Sequence, residues 1–144
     1  MGEAPDYDDP EVEAAWAAQQ RTLVERYLIQ ERVPAVQVAR DPAWMVAPYV
    51  AIWPVLAARS SQPSYWAISG DLPTDFIPAD TRPDARTAVA GFAERWEAVA
   101  GYMARGAQHP TLQIGTGEHG PELAALLASR AGLLAQWAAS DEYW

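Results

Sequence analysis

A strand with two apolar faces must be covered on both sides, and this chain contains such a run. Between Trp44 and Ala58, Val50, Ile52 and Leu56 alternate with Tyr49, Ala51, Trp53 and Val55, while Pro48 and Pro54 oppose a continuous helix. The pattern predicts one long strand, with Pro54 at an edge or a bulge because proline donates no ladder hydrogen bond. Arg59-Ser-Ser-Gln-Pro-Ser64 is turn-rich and leads into a second strand from Tyr65 to Ser69. The two make a β-hairpin with a longer loop. Ala35 to Ala39 and Thr111 to Ile114 are shorter extended candidates.

Three amphipathic helices are predicted around that hairpin. Asp9-Pro10-Glu11 opens the first, with Asp9 as the cap, Pro10 at the first helical position, and Glu11 and Glu13 near the positive end of the dipole. Its stripe, Val12, Trp16, Leu23 and Tyr27, extends it to Arg32, and Gln19 falls in the middle of that stripe, as a satisfied core amide or a ligand contact. Thr81 and Asp84 have the spacing of a capping box for a helix over 83–105, with Val89, Phe92, Trp96, Val99 and Met103 on one face and Gly106 at its end. A third helix starts at Pro121 and carries Leu123, Leu126, Leu127, Leu133, Leu134 and Trp137. The expected fold class is α+β, three amphipathic helices packed on a small antiparallel sheet built on the central hairpin. The expected organisation is an acidic flexible tail over 1–8 and a single domain over 9–144.

Composition narrows the function classes. The 144 residues contain no Cys, which excludes thiol catalysis, thiolate metal sites and a disulfide scaffold. The net charge is −9, and every basic residue is Arg. Lysine chemistry is therefore absent, and the scattered Arg argue against nucleic acid or an anionic membrane as partner. No run approaches a membrane span, and the acidic N-terminus lacks a secretion signal, so a cytoplasmic location is expected. Seven Trp against two Phe means many large side chains whose N–H needs a partner.

The stretch from Tyr65 to Pro78 holds the candidates for chemistry. It breaks after the strand at Ser69-Gly70-Asp71 and carries Asp71 and Asp75 on either side of Pro73. General acid-base work needs two carboxylates in unlike environments, and a loop at a strand end can provide that; the same residues also serve ordinary turn chemistry. Asp71, Asp75 and Ser69 are the catalytic candidates. Ser69 lacks the Gly two positions earlier that a nucleophile elbow requires, since Ala67 stands there. The binding candidates are Trp53, Trp66, Ser69, Gly70, Asp71, Thr74, Asp75 and Phe76, with Trp44 and Trp96 as further members of an aromatic cleft or of the core.

His109 and His119 have neither helical nor zinc-finger spacing. No metal or cofactor is expected, although a site made of His119, Glu118 and the two Asp would form if the fold joined them. Gly115-x-Gly-x-x-Gly120 matches a dinucleotide fingerprint only as a string, because the helix after it leads to the C-terminus. Tyr143 and Trp144 end the chain as an aromatic pair that folds back on the core or docks on a second copy, giving a homodimer.

The strings Asp9-Pro-Glu-Val-Glu-Ala-Ala-Trp16, Ala47-Pro-Tyr-Val-Ala-Ile-Trp53, Trp66-Ala-Ile-Ser-Gly-Asp-Leu-Pro-Thr-Asp-Phe-Ile77, Tyr102-Met-Ala-Arg-Gly106 and His109-Pro110 together resemble an uncharacterised bacterial family, the domain of unknown function numbered 4826. The resemblance spans nearly the whole chain and implies no activity. Trp-x-Ile-Ser-Gly-Asp is also similar to the Trp and Ser-Gly-Asp-Glu pattern of some toxin-immunity proteins, with Leu72 where their second acid stands. The expected function is a non-catalytic binding module, of immunity type, for a basic protein partner. The alternatives are a small hydrolase-like enzyme using Asp71 and Asp75, and a structural homodimer.

Overall fold

The computed structural model describes residues 4–33, 35–105 and 120–144. They form three α-helices and a five-stranded antiparallel sheet, an α+β fold. Contacts divide the chain into two compact units, one running to Asp80 and one from Thr81.

The first unit opens with α1 (Pro10–Gln30), and Asp9 caps it by accepting a hydrogen bond from the Glu11 N–H at 2.9 Å. Just upstream, Tyr7 packs against the core. The helix ends with Arg32 at φ 59, where its N–H reaches the Ile29 carbonyl and the Val33 N–H reaches that of Leu28. Those two bonds are the Schellman closure, made with Arg where glycine is usual.

The inward residues of α1 are Trp16, Val24 and Leu28, with Ala17 and Tyr27 beside them. This corrects the predicted stripe by one position, because Leu23 is 43% exposed and Gln19 is exposed. The true face contains Gln20 and Arg21 between its apolar residues. Arg21 is tolerated there because its guanidinium reaches past the core to the Ala39 and Val38 carbonyls, at 2.9 and 2.7 Å, and pairs with Glu25.

Strands β1 (Val36–Val38), β2 (Trp44–Val46), β3 (Val50–Ala57), β4 (Pro63–Gly70) and β5 (Asp75–Pro78) follow. The sheet order is β1-β3-β4-β5, with β2 also on β3. The predicted hairpin is β3–β4, while the predicted long strand from Trp44 is two strands separated by a turn at Ala47-Pro48, a cis peptide.

Pro54 is not at an edge, because β3 has partners on both sides. It is accommodated by the handover between β2, which ends its pairing at Ile52, and β1, which begins at Val55. The Pro54 carbonyl accepts from Ala39 and the Ile52 carbonyl from Ala43, so the missing N–H faces the gap between those two contacts. A register shift between Val55 and Leu56 lies just beyond.

Register sorts the side chains into two faces. Ala51, Trp53, Val55 and Ala67 join the α1 core, with Tyr65 and Phe76 packed beside them. Val50, Ile52, Ile68 and Ile77 lie on the opposite face and are buried as well.

In the second unit, α2 (Ala85–Ala104) and α3 (Gly120–Ala139) pack on each other. The capping box at α2 is Asp84 with Thr87, three residues later than predicted, each side chain accepting from the other residue's backbone N–H. Helix α2 buries Val89, Phe92, Trp96 and Val99. Helix α3 buries Ala124, Leu127, Ala131, Leu134 and Trp137, whereas Leu123 and Leu126 of the predicted stripe are exposed.

The terminus folds back within this unit as a short 3-10 turn (Asp141–Tyr143). The Trp144 indole donates to the Trp137 carbonyl at 2.9 Å, and Arg86 meets the Ala138 carbonyl and Asp141. The strand predicted at Thr111–Ile114, the glycine-rich loop before Gly120, Gly106, His109, Glu118 and His119 lie outside the described residues.

Candidate functional site

The two strings that enclose the hairpin meet at one end of the sheet. Val50 pairs with Gly70, so the Ala47-Pro48-Tyr49 turn and the Ser69-Gly70-Asp71 break sit side by side. The Asp71 N–H donates to the Tyr49 carbonyl at 3.0 Å. Gly70 holds φ +136 directly against that carbonyl, and a Cβ there would stand 2.3 Å from the Tyr49 oxygen. Only glycine fits a backbone this close in that conformation. The lock fixes two side chains that face water: Tyr49 is 53% exposed, and Asp71 is exposed.

The other candidates are placed differently. Ser69 is fully buried on the α1 side, where its hydroxyl accepts from the Trp53 indole N–H at 3.1 Å. That bond satisfies the N–H of a fully buried Trp. Asp75 opens β5 opposite Ile68 and is 2% exposed, on the face away from Trp53. Asp71 and Asp75 therefore occupy unlike environments, one exposed at the turn and one in the interior.

Trp53 and Trp66 stand on opposite faces of the hairpin, since Trp53 is paired with Ala67 and Trp66 with Pro54. Phe76 is packed edge-on between Tyr27 and Tyr65, with ring centroids 6.0 and 5.6 Å away. Of the candidate binding residues, Gly70, Asp71 and Thr74 stay at the sheet end, Trp53, Trp66, Ser69 and Asp75 belong to the interior, and Phe76 is half-buried against the core.

Thr74 also closes a groove of about 540 Å³ against the outer flank of α1. The helix contributes Gln19, Thr22, Leu23, Arg26, Tyr27 and Gln30. Gln19, predicted to lie inside the stripe, is thus a groove residue. Tyr49 is marked in the sequence only by the Pro-Tyr pair just ahead of the strand, which gains meaning once the hairpin register places Gly70 against it. No group of three metal-ligating side chains occurs among the described residues, and no described helix is long and apolar enough to cross a membrane.

A family model described as a domain of unknown function (DUF4826) matches residues 11–144. No curated protein and no solved structure matches the chain.

Proposed function

Because the chain belongs to the DUF4826 family of domains of unknown function, its role has to be read from its own surface, and we propose that it is a non-catalytic binding module whose sheet end, carrying Tyr49 and Asp71, takes a basic protein partner. The observation that carries this reading is the Gly70–Tyr49 lock. It holds an aromatic ring and a carboxylate in water at fixed backbone positions, whereas the serine and second carboxylate that a reaction would draw on are buried. A ring and a carboxylate suit an Arg or Lys side chain, through cation–π attraction and a charge-assisted hydrogen bond. The charge of −9 adds long-range attraction for a basic protein and speeds encounter. An immunity-type role, occupation of a basic toxin, is one form of such binding.

The test is affinity purification from the source cells with wild-type, Tyr49→Ala and Asp71→Arg baits. The wild-type bait should retain one basic protein at low salt and release it at high salt, and both variants should lose it. Retention of the same proteins by all three baits, or of no basic protein, would overturn the proposal.

A further inference from the structure

The groove beside α1 differs in charge from the chain around it. The chain has 19 acidic residues against 10 Arg, yet none of the groove-lining residues is acidic and Arg26 is its one charge. Its helical neighbours at three and four residues are Thr22, Leu23, Ile29 and Gln30, so no carboxylate stands where an intrahelical ion pair would form. Glu25, the nearest acid in sequence, is engaged by Arg21. Arg26 has no ion pair among the described residues.

The remaining chemistry is arranged along the helix. Gln30 lies one turn beyond Arg26, so both can reach a single ligand group. Leu23, 43% exposed, lies one turn before it, and the half-buried Tyr27 ring is adjacent. Gln19 and Gln30 mark the two ends of a wall roughly 16 Å long, at 1.5 Å per residue. Thr74 supplies a hydroxyl from the opposite wall. A cation with an amide at one end and an exposed leucine beside them matches a carboxylate attached to an apolar body.

We propose that this groove binds a small amphipathic carboxylate, its charged group on Arg26 and Gln30 and its apolar body along Leu23 and Tyr27. The same chemistry is carried by a free aliphatic acid and by the C-terminus of a chain ending in an apolar residue. This site is independent of the reading given to Tyr49 and Asp71, which lie outside its lining.

The test uses the full chain labelled for amide NMR and titrated with hexanoate, with hexanamide as the neutral match. Hexanoate should produce saturable shifts confined to residues 19–30 and 74, and hexanamide should bind about tenfold more weakly, the usual loss when a charge-assisted hydrogen bond is removed. Arg26→Gln should weaken hexanoate by a similar factor at an unchanged melting temperature, and Leu23→Asn should weaken it through the apolar end. N-acetyl-Ala-Ala-Leu with a free or an amidated C-terminus distinguishes the sources: tighter binding of the free-acid peptide than of hexanoate assigns a chain terminus, and the reverse order assigns a free acid. Shifts that do not saturate or that map elsewhere, equal binding of hexanamide, or full affinity in Arg26→Gln would each overturn the proposal.

Discussion

Replacing Gly70 with alanine tests the lock at the sheet end, and its cost can be worked from the structure. The new Cβ would lie 2.3 Å from the Tyr49 oxygen, 2.7 Å from its carbonyl carbon and 2.9 Å from the Val50 Cα, all backbone atoms with no rotamer to change. Tyr49 would have to retreat by at least about 0.7 Å to restore even a 3.0 Å contact, which disrupts the bond it accepts from Asp71. That bond contributes roughly 1 kcal/mol. An L side chain held at φ +136 adds a strain of about 1–3 kcal/mol. The sum is a loss of roughly 2–4 kcal/mol, or a fall in Tm of about 10 °C for a chain of this size. Urea unfolding followed by Trp fluorescence measures it. Gly101→Ala is the matched control, because nothing lies within 4 Å of its added Cβ and alanine in a helix interior gains about 1 kcal/mol over glycine. One chemical change should therefore have opposite signs at the two sites. A loss below about 1 kcal/mol at Gly70 would refute the steric argument.

Further outcomes follow from particular contacts. Ser69→Ala strands the buried Trp53 N–H and should lower stability by about 1–3 kcal/mol in the same urea experiment. Arg32→Gly relieves the positive φ at the end of α1 and should raise stability by about 0.5–1 kcal/mol, read as a higher urea midpoint. Asp75→Asn should destabilise the fold by at least about 1 kcal/mol more than Asp71→Asn, since Asp75 is interior and Asp71 is exposed. Truncation after Ser140 removes the residues that Arg86 and Trp137 hold within the second unit, so light scattering should show the oligomeric state unchanged.

Much of the fold was legible because its signals are local. Asp9-Pro10-Glu11 needs no tertiary context to start a helix, and the alternation in β3 and β4 is long enough to define a hairpin. What stayed hidden depends on partners distant in sequence. Gln20 and Arg21 interrupt the inward face of α1, and only the carbonyls of Val38 and Ala39 explain why Arg21 can sit there; without them Leu23 looks like the core residue. Strand β5 is four residues long, with Phe76 and Ile77 enclosed by Asp75 and Pro78, two residue types disfavoured in strands, and pairing with β4 overrides those ends. Pro54 looks like an edge residue until β1 and β2 are seen to share one side of β3.

The candidate site divides in the same way. Ser69, Gly70, Asp71 and Asp75 are close in sequence, but the strand's alternation sends Ser69 inward, the register puts Asp75 on the opposite face, and the turn leaves Asp71 exposed. Tyr49 joins Asp71 only through the Val50–Gly70 pairing, a contact between distant segments that no local pattern reveals.

The claim that Tyr49 and Asp71 form a recognition surface is tested most directly by photocrosslinking in the source cells, with p-benzoylphenylalanine placed at position 49 or, as the control, at position 29, where Ile29 is 77% exposed on α1. Position 49 should give one crosslinked product, containing a basic protein, absent from position 29 and lost when Asp71→Arg is added. No product from position 49, or the same products from both positions, would contradict it.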